Sequence, residues 1–347
     1  SKDVSGKESD KSLVSKAEIP KEGDKGAGTG GKIYPIKLAK SERVLNLTSS
    51  LDYELGEVSD LLYFDGQVYA VAQGKGNVKV FNLDGEGKVF IANGRENDKL
   101  YSPSGIGKGP NGTIAVAEGL SGVVKIFDKN GAFVLKMEIP PMPKEWPEDI
   151  KGYYTRMNIN PSAFDVDTAP NGHIYVVDQG WSRVVEYDAN GKFIASHGKR
   201  GDAKGDFQAP NKILALPDGR VLVGEQLGRR VQVFDSSSSF KVVDAFGSTN
   251  DWIGAFLGIT GISSAGEGRI VCVDGPMYTV QYFETKKFDY LFHVAGEKGE
   301  LDVKMEKQRP LINIGYPVGV AVDKDGRIWI GNPQEKRIVV LKITSTP

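Results

Sequence analysis

The sequence predicts an all-β fold, a six-bladed β-propeller with four antiparallel strands per blade. Three observations carry this expectation. First, one turn recurs six times: Asp65-Gly66, Asn111-Gly112, Asn171-Gly172, Asp218-Gly219, Glu267-Gly268 and Asp325-Gly326, 46 to 60 residues apart. That spacing sits near the roughly 40–50-residue period of propeller blades once loop insertions are allowed. Second, a large apolar residue follows each turn at a similar distance: Phe81, Phe127, Tyr187, Phe234, Phe283 and Leu341. Third, the stretch 160–198 displays one whole unit. Its four β-favouring runs, 163–167, 173–178, 183–187 and 192–196, are separated in pairs by Asn171-Gly172 and Asn190-Gly191. Asn-Gly accepts the positive φ angles of tight hairpins, so the unit reads as a four-stranded meander, strands a to d. Such a sheet leaves two apolar faces, and radial packing on its neighbours buries both.

The elements follow in order. Residues 1–32 are rich in Lys, Ser, Gly, Asp and Glu and poor in apolar side chains. They bury too little to offset their ordering entropy and read as a flexible polar tether. Residues 33–47 are strand-like, and residues 33–347 form the propeller. The blades are expected at 58–94, 103–139, 161–198, 210–247, 259–296 and 317–343. The last supplies only three strands, so the N-terminal strand is expected to complete it and close the ring. Pro103, Pro161, Pro210 and Pro317 open first strands, where a missing N–H is tolerated.

Composition narrows the function. Hydrophobic residues make up 39% and charged residues 26%, with a net charge of −1. That is a soluble-globular balance with no bulk attraction for nucleic acid. No apolar run approaches the ~18 residues of a membrane span. The single cysteine, Cys272, lies in an apolar run and reads as a small core residue. It can form no internal disulfide, and no Cys-x-x-Cys-His is present to attach a c-type haem.

The blade phrases IYVVDQGWSRVVEYD and VLVGEQLGRRVQVFD resemble the NHL-repeat propellers of bacterial secreted proteins and lipoproteins. So do the openings Pro103-Ser104-Gly105, Pro317-Val318-Gly319 and Pro161-Ser162-Ala163. The likeness covers most of 58–343. Blades one and five depart from it, lacking the proline. The resemblance implies the fold. It implies function poorly, since such propellers include binding scaffolds, RNA binders and enzymes.

Strand b of each blade ends in Gln73, Glu118, Asp178, Glu225, Asp274 or Asn332. Two readings fit: caps for the adjoining loop, or a polar mouth for a cation or polar ligand. The same face carries the d-to-a connections, which hold nearly all the extra length: 140–158, 199–208, 248–258 and 297–316. Long loops on one face of a rigid scaffold are where recognition concentrates. Within them Met142, Trp146, Tyr153, Tyr154, Arg156 and Trp252 are of the types enriched in interface cores. Arg183, Arg230 and Arg337 share one repeat position and are expected to pair with carboxylates of adjacent blades.

The expected function is a non-catalytic protein-binding scaffold, exported or surface-tethered, using its d-to-a loops. The expected compartment is periplasmic, cell-surface or extracellular, with a lipid anchor conceivable upstream of Ser1. By resemblance alone, the partner is an extracellular cytochrome or filament subunit, with no nucleic acid and no cofactor. The alternative is a metal-dependent hydrolase or lyase in the central channel, with calcium on Glu118, Asp178 and Asn332. Zinc would want several histidines, and by repeat position His173, His197 and His293 are not expected to converge.

Overall fold

The computed structural model describes residues 36–46, 56–247, 254–296 and 314–343, with 36–46 and 295–296 as backbone alone. The 1–32 tether lies outside the described residues, as does Trp252. Blade one comprises β2 (Val58–Phe64), β3 (Gln67–Ala72), β4 (Asn77–Phe81) and β5 (Gly87–Ile91). Blade two comprises β6 (Pro103–Lys108), β7 (Ile114–Glu118), β8 (Val123–Phe127) and β9 (Phe133–Glu138). Blade three comprises β10 (Ala163–Thr168), β11 (Ile174–Asp178), β12 (Arg183–Tyr187) and β13 (Phe193–His197). Blade four comprises β14 (Pro210–Ala215), β15 (Arg220–Glu225), β16 (Arg230–Asp235) and β17 (Lys241–Phe246). Blade five comprises β18 (Ile259–Ser264), β19 (Arg269–Asp274), β20 (Thr279–Glu284) and β21 (Tyr290–Gly296). The last sheet contributes three strands, β22 (Val318–Val322), β23 (Ile328–Asn332) and β24 (Arg337–Ile343). Each blade is an antiparallel meander in chain order.

The strand β1 (Ile36–Asn46) runs antiparallel to β24, with Ala39 opposite Ile343 and Asn46 opposite Arg337. Its first residues also run parallel to β21, with Ile36 opposite His293.

Six apolar clusters hold the ring, one in each seam between neighbouring blades. The seam of blades six and one joins Ala321, Trp329, Ile338 and Val340 to Val58, Leu61, Val68 and Phe81. The others lie between blades one and two, two and three, three and four, four and five, and five and six. Phe81, Phe127, Tyr187, Phe234, Phe283 and Leu341, the repeated third-strand residues, are all buried in these seams. Cys272 is buried in the seam of blades four and five, and burial pushes its thiol well above the usual range.

The hairpin turns differ from blade to blade. At Asp65-Gly66 both residues have positive φ (48° and 78°), as a two-residue reversal requires. At Asn171-Gly172 only the glycine is left-handed, and Ala169 and His173 close a longer loop.

A bulge recurs at the start of the ladder between strands a and b, shifting the register by one residue in every blade. A bulge re-aims a side chain, and here it aims across a seam. Ser59 Oγ donates to Ser104 O (2.8 Å), Ser104 Oγ to Ala163 O (2.9 Å), Asn211 Nδ2 to Ile259 O (2.6 Å) and Thr260 Oγ1 to Pro317 O (2.8 Å). Four of the six seams are thus stapled at the same height.

Candidate functional site

The polar ends of strand b are caps. Glu118 Oε1 accepts from Tyr101 N (2.6 Å), Asp178 Oδ1 from Ser162 N (2.8 Å), Glu225 Oε2 from Gln208 N (2.7 Å) and Asp274 Oδ2 from Leu257 N (2.6 Å). Asn332 makes the same link with reversed polarity, donating from Nδ2 to Ile314 O (2.9 Å). Each thereby ties the arriving d-to-a loop to its own blade. Several also cap the b-to-c loop, as Asp178 does for Trp181 N and Asp274 for Met277 N. Gln73 differs: it is exposed within a short 3-10 turn. Glu118, Asp178 and Asn332 therefore serve three separate blades, and their donor set does not fit one calcium ion. Among the described residues no cluster of three or more His, Cys, Asp or Glu side chains is arranged to hold a metal.

The arginines pair within their own blades, not with neighbouring ones. Arg183 is fully buried, with Nε on Asp178 Oδ2 (2.9 Å). Its guanidinium lies over Trp181 and Trp146 and donates to Pro140 O (2.5 Å) and Pro141 O (3.3 Å). Arg230 likewise binds Glu225 (2.6 Å) together with carbonyls of the 199–208 loop, and Arg337 pairs with Glu335. These internal pairs fix loops; the expected adjacent-blade pairing is not what forms.

The 140–158 connection holds a helix the sequence reading did not foresee, α1 (Glu148–Arg156). Pro147 precedes it, Glu148 and Asp149 occupy its first turn, and Arg156 its last, which suits the helix dipole. Trp146 and Tyr154 are buried and pack on one another, with Tyr154 Oη bound to Trp181 O (3.0 Å). These two expected contact residues are turned inward and anchor the loop. Tyr153 is half-buried beneath Arg200, Met142 is half-buried, and Arg156 is exposed.

Among its polar residues this face also presents apolar side chains. Leu120 (85% exposed), Leu227 (67%), Met157 (60%), Tyr101 (45%) and Tyr278 (40%) all stand on its b-to-c or d-to-a loops. The other large exposed hydrophobics among the described residues, Val89, Val134, Phe193, Ile194 and Val243, lie on outermost strands.

The channel axis holds a constellation that sequence reasoning missed. One position of strand a reads Asp60, Gly105, Asp165, Lys212, Gly261 and Gly319 around the ring. Lys212 reaches from blade four across to blade one, its Nζ 2.9 Å from Asp60 Oδ1. The glycines make room: a Cβ on Gly105 would meet Asp165 Oδ1 at 2.5 Å, and one on Gly319 would meet Asp60 Cα at 2.7 Å. Asp60, Asp165 and Asp167 also accept backbone N–H groups of neighbouring blades, from Ile106 (3.2 Å), Ile213 (2.9 Å) and Ala215 (2.8 Å). Burial, and next the charge of Asp60, raises Asp165 well above the usual carboxylate range. Burial raises Asp167 too. Lys212 is held above the usual range because Asp60 and Asp165 outweigh its desolvation.

A second cluster corrects the expected separation of the histidines. His173 Nδ1 and His197 Nε2 lie 2.6 and 2.7 Å from the two oxygens of Glu186, which also accepts from Tyr175 Oη (2.9 Å). A carboxylate only accepts, so both imidazoles present N–H to it. Burial alone would raise Glu186; the bonds from His197, His173 and Tyr175 outweigh it and hold the carboxyl at about 2. Phe240 of blade four stacks on His197 and Tyr175. His293 stands apart on β21, where burial pushes it down to about 4.

No protein-family model matches the sequence, and no curated protein matches it. Solved structures do. The chain is similar to virginiamycin B lyase from Staphylococcus aureus (15% identity, TM-score 0.57, 88% of this chain and 99% of that one). It is similar to a streptogramin B lyase (12%, 0.56, 87% and 97%) and to a gluconolactonase from Xanthomonas campestris (13%, 0.56, 91% and 99%). At such identity the likeness concerns the fold, a six-bladed propeller, which hosts many unrelated chemistries.

Proposed function

We propose that this propeller is a non-catalytic binding scaffold whose protein partner docks on the face of the d-to-a and b-to-c loops. The observation that carries the reading is the set of exposed apolar side chains there, Leu120, Leu227, Met157, Tyr101 and Tyr278. Apolar anchors within a polar surround are what interface cores use. The capping network supports the reading, because it holds the loops that bear these anchors at fixed positions and spares the ordering cost on binding. Tyr153, Met142 and Arg156 flank Met157 on the same connection and extend the surface.

On the same reading residues 1–32 are an export spacer of an NHL-type propeller. That places the scaffold in the periplasm, on the cell surface or outside, with an extracellular cytochrome or filament subunit as partner class. The strand β1 acts as the fourth strand of blade six. The alternative, a metal-dependent hydrolase or lyase in the channel, would draw on carboxylates that the caps occupy. Glu118→Gln and Asp178→Asn are expected to lower stability without removing any turnover.

The test is affinity capture from the native cell envelope. One partner is expected to bind wild type and to be lost with Leu120→Glu/Leu227→Glu. It should be retained with the outer-strand control Val89→Glu/Val243→Glu. Equal capture by both double variants would sink the reading.

A further inference from the structure

The last residue of the b-to-c loop, the one before strand c, is left-handed in every blade. It is Gly76 (φ 64°), Gly122 (62°), Ser182 (52°), Arg229 (53°), Tyr278 (55°) and Lys336 (52°). Glycine enters that region without steric penalty, and a residue with a Cβ does not. Blades one and two show that glycine satisfies the turn. In blade three the residue has a place inside the fold: Ser182 is buried beside the Tyr154 hydroxyl. Arg229, Tyr278 and Lys336 point elsewhere. Arg229 is half-buried, Lys336 is exposed, and Tyr278 is 40% exposed with Tyr316 edge-on to its ring. Among the described residues no carboxylate pairs with Arg229 or Lys336, whereas the next residues along, Arg230 and Arg337, are both paired. The one carboxylate in these three loops, that of Glu335, is taken by Arg337.

We propose that Arg229, Tyr278 and Lys336 form a recognition arc for an acidic segment of the protein partner. The segment sets carboxylates against the two cations and an apolar side chain on the Tyr278 ring. This rests on the docking-face reading and specifies the partner's chemistry. Blades four, five and six are consecutive in the ring, and the three residues share one repeat position. They therefore stand side by side at equal height, the aromatic between two cations. Leu227, 67% exposed, lies two residues before Arg229 and continues the apolar part. Tyr and Arg are types that interface cores enrich, and unopposed cations select a partner of opposite charge. Two cations on a chain of net charge −1 are too few to grip a nucleic-acid backbone. Non-glycine residues held in the left-handed region concentrate where function needs their side chains. No contact within the described fold accounts for keeping Arg229 and Lys336 where glycine fits with less strain; a contact outside the chain does.

The test uses the full chain and a fluorescein-labelled peptide, Glu-Glu-Leu-Glu-Glu, with its lysine-for-glutamate analogue as control. At low salt the acidic peptide is expected to bind saturably, with a dissociation constant below ~1 mM, and to bind less tightly as salt screens the charges. The analogue should not bind. Arg229→Gly/Lys336→Gly should weaken binding at least tenfold and melt above wild type, because it relieves the backbone while removing the charges. Arg229→Ala/Lys336→Ala should weaken binding equally with no rise in melting temperature. Capture of the envelope partner should fall with both variants. Failure of the acidic peptide to saturate, or equal binding of the lysine analogue, would overturn the partner chemistry. A glycine variant that melts below wild type would show that these side chains serve the fold, and would overturn the inference as well. Either result leaves the docking face itself to be judged by Leu120→Glu/Leu227→Glu.

Discussion

Lys212 is the residue on which the axis depends. Removing one partner of a buried ion pair costs about 3–5 kcal/mol, because the other charges stay behind unpaired. Lys212→Met is therefore expected to destabilise strongly at neutral pH. Asp165 is already held above the usual range, so the native state binds its proton more readily than the unfolded chain does. Its contribution is complete at acid pH and is lost as pH rises through the native value. The deficit of Lys212→Met should accordingly shrink on acidification, as read from urea midpoints across pH. Glu186 runs the other way. Its native value, about 2, lies below the unbound 4.5, so its stabilisation is present above that range and lost as pH falls through the native value. Glu186→Gln should flatten the acid limb of stability; an unchanged limb would contradict its bonds to His173 and His197. Both clusters escaped the sequence reading for one physical reason. Contacts among Asp60, Asp165 and Lys212 depend on ring closure, and those of His173 and His197 on strand pairing. The sign that could have pointed to the first is the charged or glycine residue at one strand-a position in all six blades.

At the scale of the element, the 140–158 connection shows why a loop can be rigid. Arg183 binds Asp178, the Pro140 and Pro141 carbonyls, and the faces of Trp146 and Trp181. Arg183→Met should leave Asp178 buried without its cation and free the carbonyls. Amide exchange in α1 is expected to accelerate more than exchange in β11; equal protection in variant and wild type would mean the arginine does not anchor the loop. Strand placement was legible here because hairpin chemistry and alternation act locally. The direction of Trp146 and Tyr154 was not, since an aromatic suits an interface and a packed anchor equally well. What decides between them is Arg183, which lies 37 positions beyond Trp146 in the chain.

For the whole molecule, the six turns and six third-strand residues sufficed to give the blade number, because each seam must bury the same kind of residue. Seam six-one closes the wheel through Trp329, Ile338 and Val340 against Val58 and Phe81. On the proposed role of β1 as fourth strand of blade six, its pairing along β24 would add a second tie across the closure. Deleting residues 33–47 is thus expected to lower the melting temperature far more than deleting 1–30; equal melting would show that the seam alone suffices. The crossing of the axis by Lys212 has a consequence at this scale. A bolt through the hub ties blade four to blade one on the far side of the ring, so neither can swing outward without breaking it.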